Sequence, residues 1–270
     1  MSEARLVAQT QTPRTRASLA EDLRKIGLVV GQVIVLHSSL KAIGWVAGGP
    51  VAVLLALQDV LTHAGTLIVP TQTSDRTDPA QWTSPPVPPE WVPIIRESVP
   101  AFDPALVPSR DMGIIAETFR TWPNVHRSQH PHVSFAAWGQ HAHETTHDHQ
   151  LAWSMGEGSP LSRAYALGAQ TLLIGTRKCT SLHLAEALSG TAARCIQAAA
   201  VYRNGERAWV EFPDWEYSTE QFSEVLDAFC VKEGVQVGRV GSAETLLLDQ
   251  RALVDYATGY FRQHPRTELP

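Results

Sequence analysis

Thr171-Leu172-Leu173-Ile174-Gly175-Thr176-Arg177-Lys178-Cys179-Thr180-Ser181-Leu182-His183-Leu184-Ala185-Glu186 contains the change of periodicity from which the fold is read. Its first five residues are an apolar run closed by glycine, the pattern of a buried strand. From Thr180 onward apolar residues recur at helical spacing, so the stretch reads as strand, loop, helix. A histidine in the first turn of a helix that follows a strand lies where α/β proteins place working groups. Imidazole suits proton transfer near neutral pH. Glu186 lies three residues on and shares the His183 helix face.

The same alternation extends upstream. Ser18-Leu19-Ala20-Glu21 predicts a capping box at a helix start, with Gly27 as its C-terminal stop. Gly31 to Leu36 predicts a short strand that ends at His37-Ser38-Ser39-Leu40. Gly48-Gly49-Pro50 precedes a helix over about residues 50 to 63, with Pro50 suited to the first turn. Gly65 stops it, and Thr66 to Val69 is the next strand. Downstream, helices are expected over Met112–Arg120, Ala142–Asp148 and Pro160–Leu167, and strands over Val133–Trp138 and Gln170–Ile174. Residues 192 to 211 read as a hairpin around Arg203-Asn204-Gly205-Glu206, a type I′ turn signal. Closing helices are expected over Ser218–Lys232 and Leu248–Gln263. The pattern implies a mixed sheet flanked by helices, an α/β fold with a hairpin-plus-helix part near the C-terminus.

Thr71 to Arg110 differs in composition. It holds nine of the 18 prolines, together with Trp82 and Trp91. Linkers rarely carry aromatics that need burial, so this stretch reads as an ordered insertion, a wall or lid, with a surface excursion as the alternative. Residues 1–17 read as a lead-in and 18–270 as a single domain.

At 270 residues the chain can bury a large core, and 44% hydrophobic with 18% charged residues is ordinary globular composition. No apolar run approaches the length of a membrane span. The formal net charge of −5 argues against nucleic acid as the main partner. Cys179, Cys195 and Cys230 are odd in number without a C-x-x-C spacing, which reads as reduced cytoplasmic thiols.

Thr180-Ser181-Leu182-His183-Leu184-Ala185-Glu186 resembles the histidine motif of the aminoglycoside 3-N-acetyltransferase family, the antibiotic N-acetyltransferases that use acetyl-CoA. Further matches follow in order: Val35-Leu36-His37-Ser38-Ser39-Leu40 with Gly44, Arg127-Ser128-Gln129-His130-Pro131, Ser134-Phe135-Ala136-Ala137-Trp138-Gly139, and Gly156-Glu157-Gly158-Ser159-Pro160. The likeness is strongest to members with Phe119-Arg120-Thr121-Trp122-Pro123-Asn124 and the Pro/Trp-rich insert. It implies acetyl transfer from acetyl-CoA, as cosubstrate, to a small cationic amine, an aminoglycoside above all, by a monomer or homodimer.

Such a transfer requires a base for the amine, a thioester held close to it, donors for the developing oxyanion and donors for the CoA pyrophosphate. From the residues alone, His183 either caps its helix or acts as the base; the resemblance favours the base. Glu186, Asp214 and Glu216 are the carboxylates near it by topology. Phe212-Pro213-Asp214-Trp215-Glu216-Tyr217 resembles the family's acidic pair, which implies that Asp214 and Glu216 orient His183 or hold the cationic substrate. His37, Ser38, Ser39 and Leu40 close a strand, as either an ordinary capped turn or a phosphate contact. The resemblance places them at CoA, along with Arg110, Met112 and Gly113. It makes Arg127 a partner for a CoA phosphate, against the alternative of a surface ion pair. It places Asp75 and Asp78 where relatives present acids to the acceptor, and Trp82 is a candidate to stack on a sugar.

His141, His143, Glu144, His147 and His149 cluster in sequence, but no further ligand motif completes a set, so no metal is expected. A Cys179/His183 pair would suit a hydrolase, although no oxyanion or elbow motif accompanies it. One departure stands out. The loop Thr176-Arg177-Lys178-Cys179 is two residues shorter and more basic than in many relatives, which carry Gly, Asp and Asn there. It either disfavours a cationic acceptor or brings Arg177 and Lys178 toward CoA phosphates.

Overall fold

The computed structural model describes residues 3–266. Residues 1–2 of the expected lead-in and residues 267–270 of the expected domain lie outside that range. The strands are β1 (Val33–Ser38), β2 (Thr66–Pro70), β3 (His126–Arg127), β4 (Phe135–Gly139), β5 (Gln170–Ile174), β6 (Arg194–Arg203), β7 (Glu206–Trp215), β8 (Gly238–Val240) and β9 (Ala243–Asp249). Seven form one sheet in the order β3-β4-β2-β1-β5-β9-β8, and β6 pairs with β7 alone. The central strands β2, β1 and β5 are parallel; β4 and β9 join them antiparallel. β1 is buried along almost its whole length. A strand covered on both faces needs an unbroken apolar run, and Val33-Ile34-Val35-Leu36 supplies it.

The helices are α1 (Glu3–Gln9), α2 (Arg16–Lys25), α3 (Leu40–Ile43), α4 (Gly49–Leu61), α5 (Trp91–Ser98), α6 (Gly113–Arg120), α7 (Ala142–Thr146), α8 (Pro160–Ala166), α9 (Ser181–Ser189), α10 (Phe222–Glu233) and α11 (Gln250–Gln263). They form two layers. Ile34, Leu36, Leu67 and Val69 pack beneath α2, α4 and α6 through Leu19, Leu57 and Phe119. Val35, Ile68, Leu173 and Leu246 face the other way, toward α8 to α11 through Leu161, Leu182, Leu226 and Val254. The period-2 alternation of each strand therefore feeds two separate cores.

Several boundaries differ from expectation. The first capping box is Thr15 with Ser18, not Ser18 with Glu21, so α2 begins at Arg16; Glu21 instead pairs with Lys25 one turn on. Leu248 belongs to β9, and the hairpin β8–β9 closes the sheet where only a helix start at that residue was expected. Thr245-Leu246-Leu247-Leu248 fits either element, and pairing with β5 decides for strand. The first closing helix starts at Phe222 rather than Ser218. Within the expected lead-in, α1 is tied to the loop after α3: Trp45 donates its amide to Thr10, and Arg14 pairs with Val46.

The 71–110 insertion packs against the β6–β7 hairpin, which turns at Asn204 and Gly205, both with positive φ as a type I′ turn requires. The amide of Phe102 donates to the Ala200 carbonyl at 2.9 Å, and Arg207 donates to the carbonyls of Val99 and Arg96. Arg127 pins the base of this wall. Its guanidinium donates to Thr71 Oγ1, the Thr71 carbonyl, Ser134 Oγ and the carbonyls of Pro104 and Val107, and it lies 5.2 Å from the Phe102 ring. Burial lowers its pKa to about 10. Its donors are met by the protein, so Arg127 ties the wall together here, rather than standing free toward the cleft as the expected phosphate contact would.

Beneath the hairpin lie His130, His132 and His149, all buried. His149 bridges Ser128 Oγ and the Ser154 carbonyl, His130 reaches the Leu151 carbonyl, and His132 reaches the Ala198 carbonyl. Burial pushes His132 and His149 down to about 4 and His130 well below the ordinary imidazole value. These rings are neutral when folded, whereas in the unfolded chain they protonate below about pH 6.5.

Two outcomes are expected. Truncating Arg127 to Ala strands several buried carbonyls and should cost about 3 kcal/mol, lowering the melting temperature by about 5 °C; calorimetry reads this directly. Stability should also decline as pH falls from about 6.5 toward about 4, by up to about 1.4 kcal/mol per pH unit for each buried histidine, because the unfolded chain binds the extra protons. A His149→Gln variant, measured by urea titration across that range, should show a shallower decline.

Candidate active site

The C-terminal ends of β1, β2 and β5 open into a cleft of about 450 Å³. It is lined by His37 and Ser38 from β1, Pro70 and Gln72 from β2 and beyond, Thr176 to Thr180 after β5, and His183 in the first turn of α9. Open parallel sheets bind ligands at this edge because every strand–helix loop converges there. Gly175 makes the convergence possible: it has φ +64°, and a Cβ at that position would sit 2.2 Å from the Ala42 Cβ. Any side chain would push the loop away from α3.

His183 is 9% exposed and lies between Tyr217 and Phe222, with ring centroids at 5.2 and 4.7 Å. Its Nδ1 is 2.7 Å from Glu186 Oε2. The other Glu186 oxygen accepts from the Ser218 amide at 3.1 Å and faces the Arg266 guanidinium at 3.2 Å. A carboxylate accepting from Nδ1 fixes the neutral imidazole as the Nδ1–H tautomer and leaves Nε2 with its lone pair. Nε2 has no protein hydrogen bond among the described residues and is the nitrogen available to the cleft.

His37 is arranged differently. Its Nε2 accepts from the Thr180 amide at 3.2 Å, with the Thr180 hydroxyl 3.1 Å away. It thereby caps the start of α9, where the Thr180 side chain makes no cap of its own. Burial first, then the His183 and Lys178 charges, lowers its pKa to about 3, so it is neutral at ordinary pH. The segment quoted at the outset contains Thr180, but the pairing of that residue with His37 on another strand left no trace in the sequence.

The other expected residues divide. Met112 lines the cleft, and Gly113 with φ +84° starts α6, whose first amides carry no side-chain cap. Ser39 precedes α3 with its amide on the Ile174 carbonyl, and Leu40 packs into the core below; neither lines the cleft. Arg110, Asp75 and Trp82 line an adjoining recess of about 490 Å³, which meets the cleft at Asp111. Asp78 is sequestered by Arg96, at 2.9 and 2.6 Å to its two oxygens, and does not face the recess.

The acidic pair requires correction as well. Asp214 is buried and accepts from the Ser154 amide, the Ser154 hydroxyl and the Trp215 amide, and burial raises its pKa. It anchors the wall rather than His183. Glu216 is exposed; its carbonyl accepts from Arg266, while its carboxylate makes no contact with His183. The carboxylate on His183 is Glu186 alone among the described residues. Cys179 packs into the core at 2% exposure, and burial pushes its thiol up to about 12. Its thiolate is scarce at neutral pH, a poor basis for a nucleophile.

No group of three or more His, Cys, Asp or Glu side chains among the described residues is placed to hold a metal. His141 pairs with Glu144, and His143 stacks on His147. No described helix is long and apolar enough to cross a membrane.

A doubly covered mixed sheet with a His–Glu pair at its parallel strand ends describes an acyltransferase of the antibiotic N-acetyltransferase type. Residues 35–262 match the aminoglycoside 3-N-acetyltransferase family model, and the chain belongs to that family of enzymes. It is 42% identical over 260 residues, 95% of this chain and 96% of the relative, to the SPbeta prophage-derived aminoglycoside N(3')-acetyltransferase-like protein YokD of Bacillus subtilis (strain 168). The crystal structure of that protein superposes with a TM-score of 0.96 at 40% identity, covering 98% of this chain and all of the other. Aminoglycoside N(3)-acetyltransferase VII of Streptomyces paromomycinus is 34% identical, over 97% of this chain and 96% of the relative. The structure of AAC-IIIb in binary complex with CoASH superposes with a TM-score of 0.84 at 29% identity, covering 96% of this chain and 100% of the other.

Replacing Glu186 with Gln should hold an amide against His183, present an N–H to Nδ1 and move the imidazole proton to Nε2. Nε2 then presents a proton rather than a lone pair to the cleft, while packing is kept. A fall in kcat of about 10²- to 10³-fold, with KM for the thioester within twofold, is the expected split in steady-state kinetics.

Proposed function

We propose that the chain transfers the acetyl group of acetyl-CoA to an amine, with the 3-amino group of an aminoglycoside as acceptor, and that drug resistance is its consequence. The observation that carries this reading is the buried 2.7 Å contact between His183 Nδ1 and Glu186, with Nε2 left toward the cleft.

The cleft walls suit the cosubstrate. Leu36, Val69, Met112, Ala116 and Phe222 provide an apolar channel for a pantetheine arm. The uncapped amides at the start of α6 and the Arg110 side chain near them suit phosphate oxygens. The complex of AAC-IIIb with CoASH supports the same assignment by family likeness. Acetyl-CoA supplies an activated acyl carbon, to which the amine nitrogen bonds as the carbon–sulfur bond breaks.

The protein handles the proton. His183 Nε2 accepts it from the acceptor nitrogen, and Glu186 stabilises the resulting imidazolium through Nδ1–H. The Ser218 amide and Arg266 hold Glu186 in its orientation. Tyr217 and Phe222 hold the ring in place and limit water. His37, neutral and occupied by Thr180, fixes the helix start that carries His183. Both partners of the dyad come from one chain, so a monomer suffices. The three cysteines are free, in keeping with a reducing cytoplasm.

The test is to mix the protein with acetyl-CoA and an aminoglycoside panel and follow release of the CoA thiol. His183→Ala should lose about 10²- to 10⁴-fold in rate while CoA still binds by calorimetry. Turnover unchanged in that variant would sink the mechanism. Alkylating the thiols should spare the activity; loss on alkylation of Cys179 would instead favour a cysteine hydrolase.

A further inference from the structure

The loop between β5 and α9 carries two cations, and their surroundings make them unequal. Arg177 is ion-paired with Asp227 on α10, so its charge is offset. Lys178 is exposed and lines the cleft beside His37, Thr180 and His183, without a carboxylate partner among the described residues. After burial and His183, its charge is a further cause of the lowered His37 pKa.

On the opposite side of the opening the carboxylates have cationic neighbours: Asp111 lies 3.8 Å from the Arg110 guanidinium, and Asp75 lies 4.0 Å from that of Arg76. Asp111 lines both the cleft and the adjoining recess, where Asp75 stands with Trp82 and Thr77. Asp75 Oδ1 is buried without a hydrogen-bond partner. Among the described residues, the unpaired charge at the opening is therefore that of Lys178. An amine that reaches His183 Nε2 meets a like charge if further ammonium groups lie on the β5–α9 side. On the insertion side, the carboxylates and guanidiniums largely offset one another.

We infer that Lys178 is a specificity-determining residue that sorts acceptors by charge. It disfavours polyamines with cationic groups close to the reacting nitrogen on the β5–α9 side, and favours amines whose remaining charges are absent or lie away from that loop. This rests on the acetyl-transfer reading. Each extra charge facing Lys178 in a partly solvated cleft should weaken productive binding by about three- to tenfold, and salt should shrink the effect.

The test uses the full chain and its Lys178→Ala and Lys178→Glu variants, with glucosamine, kanamycin and the more highly charged neomycin as acceptors. CoA thiol release gives kcat/KM for each, at low salt and at about 0.5 M salt. Lys178→Ala should raise the neomycin-to-glucosamine ratio by about tenfold, Lys178→Glu should raise it further, and high salt should narrow the difference, with KM for acetyl-CoA held within twofold. A change equal for all three amines, or no change, overturns the inference. A raised KM for acetyl-CoA with unchanged acceptor ratios also overturns it, and makes Lys178 a phosphate contact. If no protein releases thiol with any amine, the acetyl-transfer reading fails separately. Calorimetric titration of the same amines then reads the charge preference, and equal affinity ratios across the three proteins overturn it.

Discussion

Burying a carboxylate is costly unless donors surround it, and Glu186 draws its donors from three parts of the chain. His183 is one turn back on the same helix, the Ser218 amide lies just past β7, and Arg266 comes from beyond α11. Satisfying this one side chain closes the hairpin-and-helix half of the molecule onto α9. It also gives His183 a defined tautomer with Nε2 toward the cleft, the arrangement the proposed base requires. The C-terminal helix and the histidine motif, far apart in sequence, are thereby parts of one site.

Neutral buried imidazoles are the second recurring device. His37 serves as an acceptor that caps α9, while His130, His132 and His149 serve as connectors under the hairpin. In each case a ring nitrogen meets a backbone amide, carbonyl or hydroxyl that burial would otherwise leave unpaired. The wall they support is joined to the sheet again by Arg127 and by Asp214. The insertion is thus a built wall of the cleft, held by charged groups that do no chemistry. This arrangement explains why three charged residues expected at the site, Arg127, Asp78 and Asp214, are occupied by the protein.

The cleft that results divides its parts. The His183–Glu186 pair sits at the parallel strand ends, where geometry is rigid, and the charged groups sit on loops, where length and composition vary most. Lys178 lines it from the β5–α9 loop, and Asp111, beside Arg110, lines it from the other side. On the proposed reading, the chemistry and the choice of acceptor fall to different parts of the fold.

Much was legible in the residues themselves. Apolar runs with glycine stops gave β1, β2 and β5, the Asn204-Gly205 turn gave the hairpin, and the i, i+3 spacing placed Glu186 on the His183 face, because each signal is local and rests on backbone periodicity. The β8–β9 hairpin was hidden because Thr245 to Leu248 suits helix or strand equally until β5 is there to pair with it. Arg127, Asp78 and Asp214 were misread for one shared reason: a charged side chain looks the same in sequence whether its partner is a ligand or the protein. The sequence alone therefore determined most of the elements, the histidine motif with Glu186 on its face, and, by its family likeness, the reaction class expected. Only the tertiary structure decided which charges were free to act, since that depends on carbonyls, hydroxyls and counter-ions brought from far along the chain.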